Sequence, residues 1–174
     1  MDSSLSNNIN LLSRHWYVFY TSPRAEKIAY RELTNLGFET FLPISKTIKI
    51  WRNRQRKVIE EPLFPGYIFL RIHSSKISDV LRVPKICTCI KTSNIPAIVP
   101  ERDIEAIKIM QCLEASILNK SDYSIGEKVQ IINGPLCGYS GILIKDKNKF
   151  GVLIDSINLM ATVNIDPSDL KIIE

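Results

Sequence analysis

The spacing of hydrophobic and polar positions changes character several times along the chain. Residues 16–20 are aromatic or β-branched without a break, which predicts a buried strand. Thr21-Ser22-Pro23 follows, with Ser22 suited to cap a helix and Pro23 to occupy its first turn. Ala25, Ile28, Ala29, Leu33 and Leu36 then recur on one helical face, and Gly37 is a natural stop. Residues 38–50 read as strand, bent or at an edge because of Pro43. Residues 63–72 form another apolar strand-like run, containing Pro65-Gly66. A short helix over 77–83, closed by Pro84, and a strand over 86–90 complete the series. Pro100 then opens a third helix with Glu101 and Asp103 in its first turn, where acids suit the dipole. Ile104, Ile107, Met110, Leu113 and Ile117 are its expected buried stripe.

This order predicts an α+β fold, with a ferredoxin-like split βαβ domain whose antiparallel sheet carries helices on one face. From residue 123 onward the pattern differs. Short apolar segments (129–132, 141–144, 152–154 and 161–163) alternate with Gly, Asn, Asp or Pro turns, which predicts a small barrel of about five strands. The expected boundaries are a flexible start over 1–14, a first domain over 15–118, a linker over 119–123 and a barrel over 124–174.

Charge and glycine content support that division. Residues 1–118 carry 17 Lys/Arg and 11 Asp/Glu, whereas 119–174 carry 6 and 7. Five of the seven glycines lie between positions 126 and 151. At 45% hydrophobic and 24% charged, the chain can fill a core. No apolar run approaches the roughly 18 residues of a membrane span, and the polar first dozen residues do not read as a signal peptide. Cys87, Cys89, Cys112 and Cys137 form no C-x-x-C pair and sit among apolar neighbours, so buried, reduced thiols in a cytoplasmic protein are expected.

Nothing in the pattern supports catalysis. There is no nucleophile elbow, zinc-protease helix, phosphate loop or dinucleotide fingerprint. His15 and His73 stand far apart, and Glu60 and Glu61, adjacent on a strand, point to opposite faces. No cofactor or metal is expected. The sharpest charge feature is Lys46, Lys49, Arg52, Arg54, Arg56 and Lys57, six positives with no acid between positions 44 and 57 and Trp51 in their midst. Such a run can neutralise phosphates while the indole stacks on a base; alternatively it is a solvated hairpin tip whose charges suppress edge aggregation. Outside that run, residues 1–118 hold 11 charges of each sign. The aromatics Trp16, Tyr17, Phe19, Tyr20, Phe64, Tyr67 and Phe69 fall in two strand segments. With helices on one sheet face only, an outward Tyr20 or Phe64 would form an exposed apolar patch of the kind that marks a partner site.

Three strings carry a family resemblance. Trp16-Tyr17-Val18 with Thr21 ahead of a helix, Glu61-Pro62-Leu63-Phe64-Pro65-Gly66-Tyr67-Ile68-Phe69, and Pro96-Ala97-Ile98-Val99-Pro100 resemble the N-terminal domain of NusG-type transcription elongation factors. Tyr123-Ser124-Ile125-Gly126-Glu127, together with the stretch from Gly134 through Gly138 to Gly141, is similar to that family's KOW motif, a small SH3-like barrel. The Glu-Pro-Leu-Phe-Pro string, the basic hairpin before it and the Pro-Ala-Ile-Val-Pro string resemble the specialised RfaH-like and UpxY-like antitermination paralogues.

The resemblance implies an elongation or antitermination factor that promotes processive transcription of long operons, such as capsular polysaccharide clusters. It implies a pocket for the β′ clamp helices of RNA polymerase built from Tyr20, Phe64, Pro65 and Ile98. It implies a contact to the β gate loop through His73, Ser74, Ser75 and Arg82, although the serines depart from the polar motif found there in RfaH-like proteins. Arg24, at the first turn of the leading helix, and the basic hairpin would meet non-template or upstream DNA. The KOW domain would meet a small-subunit ribosomal protein or Rho. A monomeric, nucleoid-associated bacterial protein is implied. The competing reading is a ribosome- or RNA-binding KOW protein acting in translation, which the near-neutral barrel disfavours. In RfaH the barrel can refold as a helical hairpin, but the glycine turns and Val/Ile strands here predict a stable β state. Residues 123–174 alone should therefore give a β-type circular-dichroism spectrum, and a predominantly helical one would refute this.

Overall fold

The computed structural model describes residues 13–50, 55–113, 116–119, 126–144, 149–154 and 159–173. Its contacts divide the chain into two compact units, Met1–Leu42 with Pro65–Glu101, and Pro43–Phe64 with Arg102–Glu174.

In the first unit, β1 (His15–Thr21) is followed by α1 (Glu26–Asn35) and β2 (Glu39–Phe41). After the stretch assigned to the second unit come β5 (Tyr67–Ile72), the short α2 (Ile77–Val80) and β6 (Ile86–Cys89). The sheet order is β2-β5-β1-β6, antiparallel throughout. That is the split βαβ arrangement expected from the sequence. A small ribbon, β7 (Lys91–Thr92) with β8 (Ile95–Pro96), turns through Ser93 and Asn94, both at positive φ, and leads to β9 (Ile98–Val99). β9 pairs with the start of β1, beside the region that β6 takes at its end.

Trp16, Tyr17, Val18 and Phe19 are successive and all buried, so both faces of β1 are covered there. The open aromatic face expected for the sheet is therefore absent along most of β1, and Tyr20 is its one half-exposed ring. One row across the sheet is polar: Arg71 is paired in register with Glu39 on one side and Trp16 on the other. Trp16 Nε1 donates to Glu101 Oε2 at 3.0 Å, and Arg71 Nε lies 3.5 Å from the same oxygen. Its Nη1 is 3.7 Å from Glu39.

Two local expectations fail at α1. The helix starts at Glu26 with Ala25 before it and no side-chain cap, and Ser22-Pro23-Arg24 form a turn instead. Arg24 occupies the left-handed region there (φ 60°) and so precedes the helix rather than sitting in its first turn. The cysteines also differ from expectation. All are free, but only Cys89 is buried, while Cys87, Cys112 and Cys137 are exposed.

In the second unit, β3 (Ile44–Ile50) and β4 (Arg56–Pro62) form a two-stranded ribbon. The third helix, α3 (Glu101–Cys112), begins in the first unit and continues into the second; it buries Ile104, Ala106, Ile107 and Met110. It ends earlier than its hydrophobic spacing suggests. Leu113 is half-exposed, and Ile117 lies in β10 (Ser116–Asn119). The barrel strands β11 (Lys128–Ile131), β12 (Ser140–Ile144), β13 (Lys149–Ile154), β14 (Leu159–Asn164) and β15 (Leu170–Ile172) run in the order β14-β13-β12-β11-β15, with β10 added outside β14. The five expected strands are present, and β10 is a sixth supplied by the segment after α3.

The expected turn glycines serve two purposes. Gly134 and Gly138 adopt positive φ, as the loop requires. Gly126 and Gly141 are held by space: a Cβ on Gly126 would meet the backbone of Leu143, and one on Gly141 would lie 2.5 Å from Gly151 O and 2.5 Å from the Phe150 ring. Gly141→Ala should therefore lower stability by about 1–3 kcal/mol, the usual cost of overpacking, and thermal unfolding of the full chain would measure it.

Candidate functional site

At the distal end of β1 the strand meets the turn that precedes β5. Thr21 N donates to Gly66 O at 2.8 Å, which ties the two segments together. Gly66 has φ +83°, and a Cβ there would sit 2.8 Å from Tyr20 Cε2. The Tyr20 ring thus lies directly over bare backbone. It also meets Tyr67 edge to face, with centroids 5.4 Å apart. Tyr20 is 38% exposed, and Pro65 next to the turn glycine is exposed as well. The result is a half-exposed aromatic ring fixed over bare backbone, with exposed Pro65 in the same turn.

The other two expected pocket residues are placed differently. Phe64 has no exposed surface, so it presents none of the pocket expected of it, and it belongs to the core. Its burial follows from local geometry: residues 63–66 are a turn, and the alternation of a strand does not apply to them. Ile98 is 52% exposed but pairs with Tyr17, which lies on the face of β1 opposite Tyr20. The register therefore separates Ile98 from the Tyr20 surface.

At the proximal end of β1, His15 pairs with Ile72, and His73-Ser74-Ser75 leave β5 there into a 3-10 turn, Ser74–Lys76. The seven residues of β1 put the two ends about 20 Å apart. His73 and Ser74 are half-buried, and Ser75 is exposed. Ser74 hydrogen-bonds the Tyr17 phenol, which is raised above its usual pKa by burial and by nearby Cys89, with the Ser74 bond opposing the rise. Burial likewise pushes the Cys89 thiol up to about 11. Lys76 Nζ lies 2.9 Å from Asp79, whose carboxyl is held low chiefly by that hydrogen bond. Arg82, with its side chain 82% exposed, is 3.8 Å from the same carboxylate. Beside these residues a cleft of about 290 Å³ is lined by Arg14, Phe38, Glu39, Arg71, His73 and Lys76.

The basic hairpin is real but only partly cationic at its base. Lys46 faces Glu60 across the ribbon and forms an ion pair at 3.4 Å. Lys49 and Lys57 are paired in register, and Arg56 is exposed. Trp51, Arg52 and Arg54 lie outside the described residues. Arg24 is exposed in its turn. Among the described residues no group of His, Cys, Asp and Glu could hold a metal ion.

Residue reasoning from the chain alone missed Glu26 and Tyr67. Tyr67 was visible as an aromatic, but its place beside Tyr20 depends on strand register. Glu26 reads as an ordinary acid in a helix's first turn. It is in fact buried, and its Oε1 accepts from Gly66 N at 2.7 Å.

A family profile described as "Transcription termination factor nusG" matches residues 14–108. The chain is 24% identical over 178 residues to the transcription termination/antitermination protein NusG of Borreliella burgdorferi, covering 89% of this chain and 96% of that protein. It is 25% identical over 153 residues to the Escherichia coli K12 protein of the same name, covering 84% of each. Its fold is similar to a solved structure described as "Domain interaction in Thermotoga maritima NusG", with a TM-score of 0.55 and 21% identity over 94% of this chain and 99% of that one.

The close approach at Gly66 makes a direct prediction. Gly66→Ala combines a strained positive φ with displacement of the Tyr20 ring, so it should cost about 1–3 kcal/mol in thermal unfolding and raise Tyr20 accessibility to nitration. An unchanged melting temperature and nitration rate would contradict the packing described here.

Proposed function

We propose that this chain, which belongs to the NusG family, binds RNA polymerase at the tips of the β′ clamp helices through the surface centred on Tyr20 and Pro65. It is a transcription termination/antitermination factor and not an enzyme. The observation that carries the proposal is the half-exposed Tyr20 ring, fixed over Gly66 beside exposed Pro65, at the end of a strand otherwise buried. A rigid aromatic in an apolar setting is the usual anchor of a protein interface. Ile98 contributes a separate apolar contact on its own side of β1.

The proximal end of β1 supplies the second contact. His73, Ser74, Ser75 and Arg82 engage the β gate loop, about 20 Å from Tyr20 along the strand. One rigid strand then spans two polymerase elements and favours the closed clamp over open, paused states. Lys46, Lys49, Trp51, Arg52, Arg54, Arg56 and Lys57, with Arg24, approach the non-template or upstream DNA. The KOW barrel serves a ribosomal protein or Rho. The Glu-Pro-Leu-Phe-Pro string beside a basic hairpin supports a specialised, RfaH-like or UpxY-like role on particular long operons.

No helix among the described residues is long and apolar enough to cross a membrane. The test of the main contact is co-purification with RNA polymerase. Tyr20→Ala should weaken binding roughly thirtyfold, about 2 kcal/mol for a central aromatic anchor, while the melting temperature changes little. Binding as tight as that of the unaltered protein would remove the pocket assignment.

A further inference from the structure

Beneath the Tyr20 surface lies a buried carboxylate, that of Glu26. It is a charged side chain only 6% exposed, at the first position of α1, where the helix N-terminus favours negative charge. Its carboxylate accepts a hydrogen bond from a backbone amide 40 residues away, Gly66 N, at 2.7 Å in a buried setting. That amide belongs to the turn whose carbonyl binds Thr21 N and whose bare Cα lies under the Tyr20 ring. A charge-assisted bond of this kind is among the stronger hydrogen bonds a fold can make. Losing its acceptor would leave the Gly66 N–H buried and unpaired.

We infer that Glu26 is a positioning residue for the interaction surface: its carboxylate locks the Pro65-Gly66 turn against α1 and so sets the height and tilt of Tyr20. The chain of contacts is continuous, from Glu26 Oε1 to Gly66 N, from Gly66 O to Thr21 N, and from the Gly66 backbone to the Tyr20 ring. Glu26 itself takes no part in the outer surface. Its effect on a partner is therefore indirect, through the fraction of molecules whose turn holds the competent geometry. This inference rests on the reading of Tyr20 as a polymerase contact.

The test compares Glu26→Gln, which keeps an acceptor oxygen of similar reach, with Glu26→Leu, which does not. The full-length proteins are titrated against purified RNA polymerase, and the Gly66 amide is followed by ¹H–¹⁵N NMR. Glu26→Leu should weaken binding roughly tenfold or more, the scale of one lost charge-assisted hydrogen bond, and shift the Gly66 amide upfield. Glu26→Gln should restore most of the binding and keep the amide close to its original position. Wild-type affinity in Glu26→Leu would overturn the inference. Equal loss in both variants would overturn it too, by assigning the effect to charge rather than to the hydrogen bond. If Glu26→Leu does not fold, exchange in the unaltered protein decides: a Gly66 amide that exchanges as fast as an open turn refutes the lock. If the unaltered protein does not bind polymerase, the functional reading fails, while the NMR comparison still decides whether Glu26 holds the turn.

Discussion

β1 is hydrogen-bonded along both edges, to β5 over His15–Tyr20 on one side and to β9 and then β6 on the other. With its backbone satisfied on both sides and its side chains from Trp16 to Phe19 buried, this strand has little freedom to move. Its ends are fixed by the same pairing. The distal end places Tyr20 over the Gly66 turn, and the proximal end places His73 and the 3-10 turn after Ile72. In the proposed bridge between two polymerase elements, such a spacer would let both contacts form with little ordering cost. The Trp16, Arg71 and Glu101 cluster gives the strand's proximal half a polar anchor in the same row.

Much of this architecture was legible in the chain because the hydrophobic period changes clearly between elements. The strand over 16–20, the helix ended by Gly37, the break at Pro43 and the alternating barrel strands all follow from local chemistry. The errors have physical causes. Ile117 continues the spacing of Ile107, Met110 and Leu113, yet pairing with Ala161 in β14 draws it into a strand. Tertiary pairing outweighed helical periodicity there. Phe64 lies within the run over 63–72 that reads as strand, and the family resemblance gives it a pocket role, but it sits in a turn and is buried. Ile98 belongs to a short strand whose register decides its face, and register is invisible before the fold is known. Glu26 and Gly66 lie too far apart in sequence for any local pattern to join them.

Charge is unevenly distributed along the chain. The first half of the chain owes its surplus to the segment over 44–57, and elsewhere positive and negative residues balance. At the base of the ribbon Lys46 forms an ion pair with Glu60. Salt should weaken the proposed nucleic-acid contact far more than the proposed apolar one.

The central claim is that Tyr20 and its turn face RNA polymerase. A photo-reactive amino acid placed at position 20, and in a second protein at position 98, tests it in the assembled transcription complex. Cross-links from position 20 should map to the β′ clamp helices and be several times stronger than any from position 98. Cross-links from position 20 that miss polymerase, or that reach the clamp helices no better than those from position 98, would contradict the account.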